Sequence, residues 1–167
     1  MKLDISDLLK KQTANKKVHL ELDEASFFDG REQINFLQPI KFDGILVKVG
    51  DIITLTGTVD TVLELSCSRC LEKFDYAVGL DIEEKLTTND GANKDDDVIF
   101  IDSDTIDITE IIENNIIVTL PIKRLCREDC KGLCQQCGIN LNLSACNCTK
   151  DVIDPRLAKL KDMFLTD

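Results

Sequence analysis

Histidine is almost missing from this chain: among 167 residues only His19 occurs. It sits in the alternating run Val18-His19-Leu20-Glu21-Leu22, so triads and other histidine-based catalysis are nearly excluded. Long apolar runs are missing too. Hydrophobic residues make up 43% of the chain, but they come in short β-branched and aliphatic stretches bounded by charge, as in soluble globular proteins. None approaches the length that crosses a bilayer. The opening Met1-Lys2-Leu3-Asp4-Ile5-Ser6-Asp7 carries acidic residues where a secretory signal has a basic region followed by an apolar one. The expectation is an intracellular, cytoplasmic protein with no membrane partner and no small-molecule substrate.

Positive charge is scarce as well, and unevenly so. The formal charge is −11, and residues 81 to 113 hold twelve carboxylates against Lys85 and Lys94, a net of −10 that leaves only −1 for the rest. An acidic band repels phosphate, which argues against a nucleic-acid binder that offers its whole surface. Internal repeats are absent apart from the cysteine pairs.

What is present reads as α+β. Ile5, Leu8 and Leu9 have a helical spacing over about two turns. The lysines at 10, 11, 16 and 17 follow, as cations at a helix end do. Val18 to Leu22 alternates as a strand. From Gln33 to Leu86 the period is two, punctuated by Asp43-Gly44 and Gly50-Asp51, which predicts an antiparallel β-meander or partly closed barrel. Residues 87 to 97 hold no large apolar side chain and predict a mobile loop, after which Val98 to Ile101 and Ile106 to Ile108 resume as strands. A long amphipathic helix capped by Thr109 should close before Pro121. A C-terminal helix should start at Asp154-Pro155, with Leu157, Leu160 and Phe164 on one stripe. The expected organisation is a single domain. It has a core over 1–125 that includes the Cys67/Cys70 turn, and a zinc-binding segment with the last helix over 126–167 packed on that core.

Eight cysteines in an intracellular chain point to metal, since a reducing cytosol seldom keeps structural disulfides. Disulfides would require an exported protein. Cys67-Ser68-Arg69-Cys70 breaks the meander between two strands, where a turn can aim two sulfurs at one metal. Cys134-Gln135-Gln136-Cys137-Gly138 is a second such knuckle. There, backbone N–H groups can bond the sulfurs, and the glycine permits the chain reversal. Cys146 and Cys148 lie close downstream and close a compact site with Cys134 and Cys137, leaving Cys126 and Cys130 to complete Cys67 and Cys70. A ribbon-like swap in which the two C-x-x-C pairs share one metal stays open. The predicted cofactor is Zn2+ at two sites. Iron–sulfur is chemically possible with thiolates, but nothing here calls for electron transfer. All-cysteine zinc leaves no open coordination position for hydrolysis. A magnesium-dependent nuclease on Asp95-Asp96-Asp97 lacks rigid support. A redox switch would need an exposed thiolate that zinc quenches.

The run from Leu120-Pro121 through Cys126, Cys130, Cys134, Cys137-Gly138, Asn140-Leu141-Asn142, Cys146 and Cys148 to Ile153-Asp154-Pro155-Arg156-Leu157-Ala158 resembles the YceD family. Cys67-x-x-Cys70-Leu71 and the acidic stretch before a helix ending in Leu-Pro fit it too. The resemblance implies a non-enzymatic role in synthesis, processing or stability of large-subunit (23S) ribosomal RNA, with no catalytic residues to carry over. It also implies that the early C-x-x-C is widespread while the later cluster is reduced in some branches. That supports Cys67, Cys70, Cys126 and Cys130 as one unit. Arg69, Lys123, Arg124, Arg127 and Lys131 cluster near the cysteines in sequence and are the expected phosphate contacts. The alternative partner is a basic ribosomal protein held by the acidic band.

Overall fold

The computed structural model describes residues 1–88, 98–101 and 103–148. The frame is a seven-stranded sheet of β2 (Thr13–Leu22), β3 (Ser26–Phe28), β4 (Gln33–Phe36), β5 (Ile40–Val49), β6 (Ile52–Ser66), β7 (Lys73–Thr87) and β8 (Val98–Phe100). A two-stranded ribbon joins β1 (Lys2–Asp4) to β9 (Thr105–Asp107), and among the described residues two helices complete the set, α1 (Ser6–Leu9) and α2 (Ile108–Thr119).

The period-two pattern dictates the centre. β5, β6 and β7 form consecutive antiparallel pairs, and the β5–β6 turn is Gly50-Asp51, with Gly50 at φ +63 as a two-residue hairpin loop requires. β6 and β7 pair along their whole length, from Ile52↔Thr87 to Ser66↔Lys73. At about 3.4 Å per residue this hairpin is on the order of 50 Å long, and its tip carries Cys67 and Cys70. Inward side chains of these strands, among them Phe42, Leu55, Leu63 and Leu86, are fully buried. They pack with α2 through Ile108, Ile112 and Ile116 and with α1 through Leu8. The helix also fastens to β7 by a bond from Asn115 Nδ2 to Glu84 Oε1 of 2.7 Å.

Several expectations need correction. The sheet is open rather than a barrel, and it is not a simple meander: β2 pairs with β5 across the intervening β3–β4 hairpin, and β4 pairs with the far end of β6. β8 lies parallel to β7. The early helix is a single turn, and Lys16 and Lys17 sit in β2 rather than beyond a helix end. Ten residues of pairing with β5 draw the polar Thr13–Lys17 stretch into a strand that its own pattern does not announce. Lys48, 9% exposed, performs the capping instead, donating to the carbonyls of Leu9 and Lys11. The long helix spans twelve residues and its N-cap is Asp107, with Thr109 inside the first turn. Thr87, assigned to the loop, is buried at the end of β7. Residues 89–97 of that loop and the expected C-terminal helix lie outside the described residues. Among the described residues no helix is long and apolar enough to cross a membrane.

Candidate metal centres

Two groups of four thiols stand in the structure, Cys67, Cys70, Cys126 and Cys130 in one and Cys134, Cys137, Cys146 and Cys148 in the other. Within each group all sulfurs lie within 4.8 Å of one another. The ribbon-like swap does not occur. Cys67 and Cys130 sulfurs are 3.8 Å apart, Cys70 and Cys126 3.7 Å, and Cys134 and Cys146 3.5 Å. These are too long for a disulfide. A tetrahedral metal with bonds of about 2.3 Å sets its sulfurs about 3.8 Å apart, so the donor set fits a zinc-like ion.

Both C-x-x-C pairs build the same knuckle. Cys67 N donates to Glu72 O and Leu71 N to Cys67 O, each at 2.9 Å; Cys134 N donates to Ile139 O and Gly138 N to Cys134 O, at 2.8 and 2.9 Å. The residue after the second cysteine takes positive φ in both, +74 for Gly138 and +61 for Leu71. Leu71 is the one described non-glycine residue in that region. Such a conformation costs a branched or bulky side chain on the order of 1–2 kcal/mol. It persists because the knuckle turns the backbone N–H groups of Arg69 and Cys70 toward the Cys67 sulfur, where the N–H of Cys126 from the segment after α2 joins them.

Those donors shape the electrostatics. Burial raises the Cys67 thiol, but the N–H bonds from Cys126, Cys70 and Arg69 outweigh it and bring it down to about 6. Cys134 is likewise brought to about 6, by the N–H groups of Cys137 and Gln136. Cys126 is pushed up to about 12, first by burial and then by its sulfur neighbours, and Cys148 to about 12, first by Cys137 and then by burial. Four crowded thiols cannot all ionise together; a dication at the centre removes that obstacle.

The two centres differ in setting. Cys67, Cys70 and Cys130 are buried at 0–4% exposure and Cys126 is half-buried, and they tie the β6–β7 tip to the segment after α2. In the second centre Cys137 is exposed and the others half-buried, and all four come from one short segment. Ser68 N donates to Arg124 O at 2.7 Å, and Leu133 N to Arg69 O at 3.0 Å, so the segment 124–133 is laid along the first knuckle. Gly132 is needed there, since its φ is +77 and a Cβ would come 3.0 Å from Arg69 O.

Of the five expected cations, Lys123, Arg127 and Lys131 are exposed around this segment. Arg127 pairs with nearby Asp129, at 3.4 Å. Arg69 is exposed, but its guanidinium donates to Cys130 O at 2.8 Å. Arg124 is not available as a phosphate contact: its side chain, 14% exposed, grips Asp29 at 2.5 Å and Glu32 on the β3–β4 turn. A carboxylate that is 3% exposed outcompetes a distant phosphate for that guanidinium. Sequence reasoning missed this clamp, and it also missed Asn142, whose Nδ2 lies 3.4 Å from the Cys130 sulfur. The run Asn140-Leu141-Asn142 just past a knuckle is the signal that could have found the latter.

An open, mostly antiparallel sheet that carries two four-cysteine groups, each spaced so that it could hold a metal ion, defines the class of protein. The chain belongs to the YceD family: the family model described as large ribosomal RNA subunit accumulation protein YceD matches residues 55–164. The protein Rv2926c of Mycobacterium tuberculosis is 34% identical over 120 residues, covering 70% of this chain and 58% of its own length. YlbN of Bacillus subtilis is 27% identical, covering 95% of this chain and 92% of its own. The chloroplastic large ribosomal RNA subunit accumulation protein YCED homolog 1 of Arabidopsis thaliana is 24% identical over 89% of this chain and 54% of its own. This chain thus spans little more than half the length of the mycobacterial relatives. No solved structure matches it.

Proposed function

We propose that the protein is a non-enzymatic, two-zinc factor in the synthesis, processing or stability of large-subunit ribosomal RNA. The observation that carries the reading is the pair of tetrahedrally spaced thiol clusters in a chain of this family. Zinc holds the segment 121–148 against the tip of the β6–β7 hairpin. Arg69, Lys123, Arg127 and Lys131 then share one surface and meet RNA phosphates, while Arg124 braces that surface through Asp29 and Glu32. Like charge keeps the acidic residues of β7 and α2, among them Asp81, Glu83, Glu84, Glu110 and Glu113, out of that contact.

The test has two parts. Elemental analysis of freshly reduced protein should give two zinc ions per chain; one or none removes the two-site reading. Reversing Lys123, Arg127 and Lys131 to Glu should weaken binding to large-subunit RNA and lower the slope of log affinity against log salt by about one unit per lost phosphate contact. The fold should survive, because none of these side chains is buried.

A second reading has its own observation. Burial raises the Glu113 carboxyl, and Glu24, Asp107 and Glu110 raise it further, so acidic groups crowd around α2. Such a surface suits a basic ribosomal protein. RNA affinity that survives the reversals, with loss of basic-protein binding when Asp95, Asp96 and Asp97 become Asn, would favour this reading over the first.

A further inference from the structure

We infer that the two metal centres are coupled through Asn142, so that metal in the second centre raises the affinity of the first. This rests on the proposal that both clusters hold metal. The segment between the second knuckle and Cys146 does not turn outward. It folds back onto the first centre: Leu141 N donates to Gly132 O at 2.9 Å, Leu133 and Asn140 form a bridge, and Asn140 Nδ2 reaches Glu72 Oε1 at 3.3 Å. Asn142 stands at the contact with every polar atom of its side chain engaged. Its Oδ1 accepts from Lys131 N at 2.8 Å, which fixes the amide orientation, and its Nδ2 donates to Asn140 Oδ1 at 2.8 Å and to the Cys130 sulfur at 3.4 Å. A side chain from the loop of one centre therefore supplies a hydrogen bond to a ligand of the other.

The direction of the coupling follows from the chain path. The first centre is anchored by the sheet hairpin on one side, whereas Asn142 lies between Cys137 and Cys146, ligands of the second. Metal in the second centre closes that loop and holds the amide against Cys130. Without it the loop gains freedom and the bond to sulfur is lost for part of the time. An N–H donor spreads the charge of a thiolate and steadies a site of net negative charge, and removing such outer partners typically lowers metal affinity about 10–100-fold. By linkage the first metal raises the affinity of the second by the same factor. Asn142 is thus a positioning residue for the first centre, and the more exposed second centre sets how tightly the buried one holds its ion.

The experiment is a zinc titration of the full chain in competition with a chromophoric chelator, with cobalt absorbance reporting tetrahedral thiolate coordination. Removing the second centre by Cys146→Ser/Cys148→Ser should weaken the first about 10–100-fold, and Asn142→Ala should do the same with the second centre intact. Combining the three changes should weaken the first centre no more than either set alone, since both cut one link. Asn142→Asp keeps the acceptor for Lys131 N but replaces the donor to sulfur with a carboxylate oxygen, and should be at least as damaging as Ala. Effects that multiply in the combined variant, unchanged affinity after loss of the second centre, or wild-type affinity in Asn142→Asp would each overturn the coupling. A wild-type chain that binds no zinc would instead remove the metal reading itself. Far-ultraviolet circular dichroism of each variant separates loss of metal from loss of the sheet.

Discussion

Cys67→Ser and Cys146→Ser remove one ligand from each centre, yet their costs should differ widely. The first centre joins residues 56 and 63 positions apart, the second residues 12 apart. A flexible-loop estimate of (3/2)RT ln(56/12) makes the longer cross-link worth about 1.4 kcal/mol more in unfolded-state entropy. Burial adds to this. Cys67 is fully enclosed whereas Cys146 is half-buried, and a buried hydroxyl left without a partner costs about 1–3 kcal/mol. The expected gap is about 2–4 kcal/mol. Urea unfolding in excess zinc, which keeps the untouched centre filled, measures it directly. The chain has no tryptophan and one tyrosine, Tyr76 on β7 opposite Leu63, so intrinsic fluorescence reports the sheet alone. Cys67→Ser should shift the Tyr76 transition strongly, and Cys146→Ser by less, through the weaker metal affinity it leaves at the first centre. Equal shifts would refute the argument that one centre is built into the sheet and the other is appended to it.

Leu71 is 68% exposed and contributes little packing, so its positive φ dominates the effect of substitution. Leu71→Ile should destabilise the protein by about 1–2 kcal/mol in denaturant melts and Leu71→Gly should not; the reverse order would show that the side chain matters more than the backbone. The Asp29 carboxyl is raised by burial but brought down overall to about 2 by Glu32 N–H, the Arg124 guanidinium and Arg31 N–H. Relative to 3.8, that shift corresponds to about 2 kcal/mol of stability. Because the folded value lies below the unfolded one, the contribution is full above pH 3.8 and fades as pH falls through about 2. Asp29→Asn should therefore be less stable than wild type at pH 5, with the difference closing over that acid range in parallel urea melts; a constant difference would exclude the carboxylate as its source.

Legibility in the sequence followed the range of the interactions. Alternation along Ile45–Leu86 is a local property, and it placed β6, β7 and the knuckle at their tip, whereas Asp43-Gly44, expected as a turn, lies inside β5 and pairs with Thr58 and Gly57 of β6. Ligand spacing is local too, and the eight cysteines sort into two groups that their positions suggested. What escaped depends on distant partners. β2 begins at Thr13 only because β5 lies beside it. Nothing around Arg124 in sequence betrays Asp29 and Glu32, 95 and 92 residues away. Leu71 escaped for another reason: glycine after a knuckle announces positive φ, as at Gly138, while leucine hides it. The barrel expectation failed because alternation fixes which face is buried but says nothing about whether the outer strands meet.

Charge finally bounds the proposed contact with RNA. Of the expected cations, Arg124 is committed to Asp29 and Glu32 and the Arg69 guanidinium is shared with a carbonyl. Among the described residues near the first centre, Lys123, Arg127 and Lys131 then carry most of any phosphate contact. Three to four contacts give a salt slope of only about −2 to −3 on single-stranded RNA. A chain of formal charge −11 opposes even that, and each four-thiolate zinc centre adds about −2. Affinity from phosphate alone would therefore be weak and quickly lost as salt rises. If the proposed RNA contact is made, selectivity has to come from the shape of the surface around the cysteine groups, or from a protein partner that meets the acidic side. A measured slope much steeper than −3 would require cations beyond these four, and would move the RNA interface away from the first metal centre.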